Sequence, residues 1–239
     1  MKKVITAMLV AGMILSFASC NNKKNEETTT TETTTAETTT TTESTTETTT
    51  EVNNGGETVS ADAKATLEGL YIPFLNKLAP AFGAESGEEI SGYFAGPEME
   101  TITETDSETG EEFSYEMPKA GAGAIDLSNP ENLYTTLFPV DSADKLDSAA
   151  CFFNMMNMNN GTFSAFELKD ASEAQAIADA LKEAITGNMW MCGFPERYLI
   201  VNIDGVVISA FGIGDATNAL KDAIAEKYEN AVVLYDEAL

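Results

Sequence analysis

Arg197-Tyr198-Leu199-Ile200-Val201-Asn202-Ile203-Asp204-Gly205-Val206-Val207-Ile208-Ser209-Ala210-Phe211 is the stretch on which the fold can be decided. Two runs rich in β-branched residues flank Asp204-Gly205, a pair that favours the tight turn of a hairpin. The pattern predicts strands over 197–202 and 206–211. Just after them, Asp215 is placed to cap a helix with an inward stripe of Ala219, Leu220, Ala223, Ile224 and Tyr228. Residues 231–235 add one more extended segment. Just before them, Asp170 with Glu173 reads as a capping box. It opens a helix striped by Ala174, Ile177, Ala178, Leu181 and Ile185, and Gly187-Asn188 ends that helix. Upstream, residues 151–158 and 162–168 read as extended, either as a hairpin turning at Asn160-Gly161 or as one bent strand. The order predicts an α+β fold, an antiparallel sheet with helices packed on one face.

The segment before Cys151 contributes less regular elements. Ser60 is placed to cap a helix from Ala61, with apolar spacing at Leu67, Leu70, Tyr71, Phe74, Leu75 and Leu78. Pro73 is expected to kink or split it. Residues 98–105 and 111–117 read as an acidic hairpin at a sheet edge, with Phe113, Tyr115 and Met117 on one side. Asn129-Pro130 starts a helix carrying Leu133, Tyr134, Leu137 and Phe138, and a short helix is expected over 142–149.

The opening has a different character. Met1-Lys2-Lys3 is basic, residues 4–17 are mostly apolar, and Ala18-Ser19-Cys20 ends the run with small residues. The apolar run is too short to span a bilayer and reads as a secretory signal. Phe17-Ala18-Ser19-Cys20 looks like a bacterial lipobox, although Phe17 stands where Leu is usual. The resemblance implies acylation (palmitate-type chains) at Cys20 and a mature protein held on the extracytoplasmic face of the cell membrane. Residues 21–60, Thr and Glu in near-repeat, lack the apolar groups needed to order them and read as a disordered tether. The expected organisation is a signal peptide over 1–20, a tether over 21–60, and one α+β domain over 61–239.

Charge narrows the partners. Thirty-nine acidic residues against 13 basic ones leave a net charge of -26, so nucleic-acid phosphates would repel the chain. Histidine is absent. Ser-His-Asp triads and His-ligated zinc sites therefore cannot be built from this chain alone.

Leu133-Tyr134, Val140-Asp141 before a short helix, and Asn154-Met155-Met156-Asn157 resemble a domain of lipoproteins from anaerobic Gram-positive bacteria. The hairpin at 198–208 and the closing helix fit the same pattern, over roughly residues 131–228. That family is one of unknown function. It implies location and an α+β fold, with no activity, and the acidic hairpin departs from it.

Candidate chemistry is sparse. Cys151, Met155, Met156 and Met158 form one sulfur-rich segment, and Met189, Met191 and Cys192 form another. Thioether and thiolate suit a soft ion such as Cu(I). Against that, Met fills core gaps, and Cys151 and Cys192 can pair as a disulfide. Glu104, Asp106, Glu108, Glu111 and Glu112 crowd one turn, a calcium candidate that matches no full loop pattern. Gly212-Ile213-Gly214-Asp215 faintly resembles a phosphate-binding turn, but capping explains it better. A carboxylate-based enzyme needs no histidine, yet nothing singles out a pair. Trp190, Phe194 and Tyr198 are candidate binding-surface aromatics, with burial against the last hairpin as the alternative. The expected function is a non-catalytic, lipid-anchored envelope module without a cofactor that binds another protein, a wall component or a small ligand.

Overall fold

A computed structural model describes residues 62–239. The expected signal, Cys20, the tether and Ser60 lie outside the described residues. The elements in order are α1 (Ala63–Leu78), β1 (Phe94–Thr105), β2 (Glu112–Ala120), β3 (Gly123–Ala124), β4 (Leu146–Asn154), β5 (Gly161–Leu168), α2 (Ala174–Gly187), β6 (Arg197–Ile203), β7 (Val206–Gly212), α3 (Gly214–Lys227) and β8 (Val232–Ala238). Two short 3-10 helices, Pro130–Thr136 and Val140–Lys145, precede β4. All strands pair antiparallel in one sheet ordered β2-β1-β4-β5-β7-β6-β8, with β3 beside β4. The α+β class is as expected.

The helices are divided between the two faces of the sheet, which corrects the one-face expectation. On one face α1 and α3 bring Leu67, Leu70, Phe74, Leu220 and Ile224 onto Phe152, Phe163, Leu199, Val201 and Ile208. On the other, α2 and the loops before β4 bring Ile177, Leu181, Ile185, Leu133 and Phe138 onto Phe166, Tyr198, Ile200, Val207 and Phe211. The reason lies in the strands: β7 is buried at every position, so both of its faces need cover. Phe74 sits 4.8 Å from Phe163 and Phe152 4.8 Å from Phe163, ring centre to ring centre.

Several local expectations shift for identifiable reasons. The first helix starts at Ala63, where the Asp62 carboxylate accepts the Lys64 N–H at 3.0 Å. It runs unbroken through Pro73. Proline leaves the Gly69 carbonyl without its helical donor, and the Lys227 ammonium of α3 donates to that carbonyl at 2.8 Å. A Cβ on Gly69 would stand 2.2 Å from the same nitrogen, so only glycine leaves the approach open. Residues 146–149, expected in a helix, begin β4. Asp170 caps the 3-10 turn Ala171–Glu173 ahead of α2, but Glu173 pairs with Lys145 at 2.9 Å instead of closing a capping box. The start of α3 is capped by Glu196, whose carboxylate accepts the Gly214 N–H at 2.7 Å, and Asp215 lies inside the first turn. That negative charge suits a helix N-terminus and occupies the turn resembling a phosphate site.

Strand β8 closes one edge through charge. Asp236 meets Lys221 at 2.7 Å and Arg197 at 2.5 Å, while Glu237 meets Lys182 at 2.8 Å and the Tyr198 hydroxyl at 2.6 Å. Lys221 foremost, then Arg197, holds the Asp236 carboxyl below its ordinary value, and Lys182 foremost, then Tyr198, does so for Glu237. Carboxyls depressed in the folded state stabilise above their unfolded values, and that support is lost as pH falls through the folded ones.

Two outcomes follow. Lys227→Met is expected to lower stability by about 1 kcal/mol, measured by denaturant unfolding, and by less when Pro73→Ala restores the helical donor. Below about pH 4, β8 amides should lose hydrogen-exchange protection before those of β5 and β7; Asp236→Asn should show the loss already at neutral pH.

Candidate functional site

The two sulfur-rich segments meet at one end of the sheet. β4 stops at Asn154 because its carboxamide oxygen accepts the N–H groups of Met156 at 2.9 Å and Asn157 at 3.1 Å, an alternative to continuing the ladder. Asn157 in turn accepts the Asn159 N–H at 3.0 Å. The connection from β4 to β5 is therefore a six-residue loop over 155–160, not a tight turn at Asn160-Gly161 and not one bent strand. Because α2 carries the chain back along β5, the loop over 188–196 arrives at the same end. Asn157 donates to the Cys192 carbonyl at 2.6 Å, and Asn159 donates to the carbonyls of Met191 at 2.8 Å and Gly193 at 3.1 Å. Gly193 has φ +133°, and a Cβ there would meet the Asn157 amide nitrogen at 2.7 Å. Cys192 itself takes a left-handed φ of 61°, a conformation that costs a non-glycine residue free energy.

These staples hold apolar side chains in water. Met156, Met189, Met191 and Phe194 are 80%, 89%, 77% and 75% exposed. Met155 joins them and donates its N–H to the Tyr93 carbonyl at 2.9 Å, next to the Phe82–Tyr93 ring pair at 5.7 Å. The surface is methionine-rich, of the adaptable kind that suits docking.

The other candidate residues are sorted by burial. Cys151 lies inside β4, paired with Ser164 of β5, and burial pushes its thiol up to about 12. Cys192 is exposed on the loop, and both thiols are free, so of the two possibilities for this pair the structure has the unpaired one. Burial also removes Cys151 from the soft-ligand set, leaving Met155, Met156, Met158, Met189, Met191 and Cys192 at the shared end. Trp190 is half-buried, its ring 5.1 Å from that of Phe211, and Tyr198 is wholly buried with its hydroxyl on Glu237. Of the three aromatic candidates only Phe194 faces water. Among the described residues no group of three His, Cys, Asp or Glu side chains is placed to hold a metal ion. In the acidic turn Asp106 is engaged with its own backbone, accepting the N–H groups of Glu108 and Thr109.

A cavity of about 410 Å³ opens beside β3, lined by Ile125, Asp126, Glu131, Asn132, Cys151 and Phe153 among others. The Ser128 hydroxyl and N–H hold the Asp126 carboxyl below its usual range. Every carboxyl with a displaced value among the described residues is displaced downward.

No protein-family model, curated protein or solved structure matches this chain. Among the described residues no helix is long and apolar enough to cross a membrane. The asparagine staples were hidden in the sequence, where Asn157 falls in an extended segment and in the lipoprotein-like stretch, and Asn159 falls between two extended segments.

In a Cys20→Ser chain, thiol titration at pH 8 is expected to find one fast-reacting group, Cys192, and a second only after unfolding. Two fast thiols, or none, would contradict this placement.

Proposed function

We propose that this chain is a lipid-anchored, extracytoplasmic binding module without catalytic activity, docking an envelope partner on its methionine-rich end. The observation that carries the reading is the exposure of Met156, Met189, Met191 and Phe194 on two loops that Asn157 and Asn159 tie together at one end of the sheet. Leaving such side chains in water forgoes roughly 1.5–3 kcal/mol of burial each, which a bound partner recovers. Anchorage rests on the sequence up to Cys20 and on the likeness of residues 131–228 to a lipoprotein domain. Two acyl chains on one cysteine suffice for stable membrane attachment.

One observation favours a second reading, a soft-metal protein: the carboxamide staples gather five methionines and Cys192 at the same end. Cu(I) binding that survives Cys192→Ser but not Met→Leu at positions 156, 189 and 191 would support it.

Two experiments check the docking reading. Cys20→Ser is expected to move the protein from the membrane fraction to the soluble one. A photo-crosslinking residue at position 194 is expected to give one discrete adduct in intact cells, lost in Met156→Glu/Met191→Glu. Adducts unaffected by that change would remove the methionine-rich end as the docking surface.

A further inference from the structure

The ribbon formed by β1 and β2 leaves the sheet. Only Phe94 and Ala95 of β1 pair with β4, and Pro97, which has no N–H, breaks the ladder there. β3 takes over the β4 edge at Cys151 and Ala150. The crossing is close: a Cβ on Gly96 would stand 2.4 Å from the Gly123 nitrogen, and one on Gly123 would stand 2.8 Å from Pro97 Cδ. The base is clasped by Glu98, which accepts from Lys64 of α1 at 2.5 Å and from the Ala124 N–H at 3.1 Å. Beyond it, β1 and β2 pair only with each other.

Register assigns the ribbon two unlike faces, because directly paired residues share a face. The pairs Glu100–Met117, Ile102–Tyr115 and Glu104–Phe113 put an apolar stripe between two glutamates. The Phe113 and Tyr115 rings stack at 6.1 Å, and Tyr115 donates its hydroxyl to Glu104 at 2.8 Å. Phe113 and Tyr115 are nonetheless 48% and 40% exposed. The other face is polar, with Thr103 and Ser114 in hydrogen-bond contact at 2.8 Å. From Glu98 to Lys119 the arm carries eight carboxylates and one lysine. Among the described residues only Glu98 of these carboxylates meets a lysine.

A two-stranded ribbon that the described residues cover on neither face is marginal in water, whereas three strands sharing an apolar face are not. Independently of the methionine-rich end, we infer that β1 receives a third strand along its open edge, Glu98–Thr105. The occupant is a cationic, partly apolar extended segment of another protein. Its backbone continues the ladder, its apolar side chains extend the stripe of Ile102, Phe113, Tyr115 and Met117, and its Lys or Arg groups face Glu100 and Glu104. A second copy of this chain is disfavoured, since pairing two arms sets rows of carboxylates against each other.

The test uses the full chain and a fluorescein-labelled peptide of Lys-Thr-Val-Thr repeats, which sets Lys and Val in turn along one face of an extended strand, read by fluorescence anisotropy at physiological salt. Glu-Thr-Val-Thr and all-Lys peptides serve as comparisons. Binding by the Lys-Thr-Val-Thr peptide alone is expected. It should weaken at least tenfold in Ile102→Thr/Phe113→Thr/Tyr115→Thr, which leaves the charge unchanged, and in Glu100→Gln/Glu104→Gln, which leaves the stripe intact. Amide exchange over 98–105 should slow in the complex. Equal binding of the all-Lys peptide, undiminished binding by the charge-neutral triple variant, or exchange unchanged over 98–105 would each overturn the inference, and so would no binding at all.

Discussion

Burial of the central strands on both faces is the constraint from which the rest of this molecule follows. β5 and β7 lie side by side in register from Gly161–Gly212 to Glu167–Val206, and almost every side chain on them is withdrawn from water. A sheet of that kind needs two covering layers. One is built by α1 and α3 around the Phe74–Phe152–Phe163 cluster, the other by α2 and the 3-10 segments before β4. The two layers meet no such demand at the sheet's margins. There the chain leaves apolar groups uncovered, at the methionine-rich end and on the arm.

Cover also explains why awkward local features persist. Proline in the middle of a buried helix costs about 3 kcal/mol or more when its freed carbonyl stays unpaired. Here the close packing of α1 on α3 brings Lys227 to the Gly69 carbonyl, and the absent Cβ of Gly69 lets it in. A local defect is thus repaired by a residue 158 positions away.

That distance marks the boundary of what could be read from the chain. The hairpin at 197–211, the stripes of α2 and α3, and the extended segment after residue 231 were legible because each depends on spacing within a dozen residues. The α+β class followed from their order. The second covering layer was legible in principle, since Val206–Phe211 is apolar at nearly every position instead of at every other one. The Glu196 cap, the Lys227 repair and the carboxamide staples were not, because each joins residues brought near only by the finished fold. Burial of Tyr198 in the core and the packing of half-buried Trp190 against Phe211 were legible as the alternative to a surface role, whereas the separation of Cys151 from Cys192 was not.

Amide hydrogen exchange on the full chain tests the central claim most directly. Two-sided burial requires β5, β7 and the inner part of β6 to exchange only through global unfolding, while amides between Glu98 and Pro118 exchange through local opening at far lower free energy. Arm amides as protected as those of β7 in the free protein, or β7 amides exchanging as fast as the arm, would contradict it.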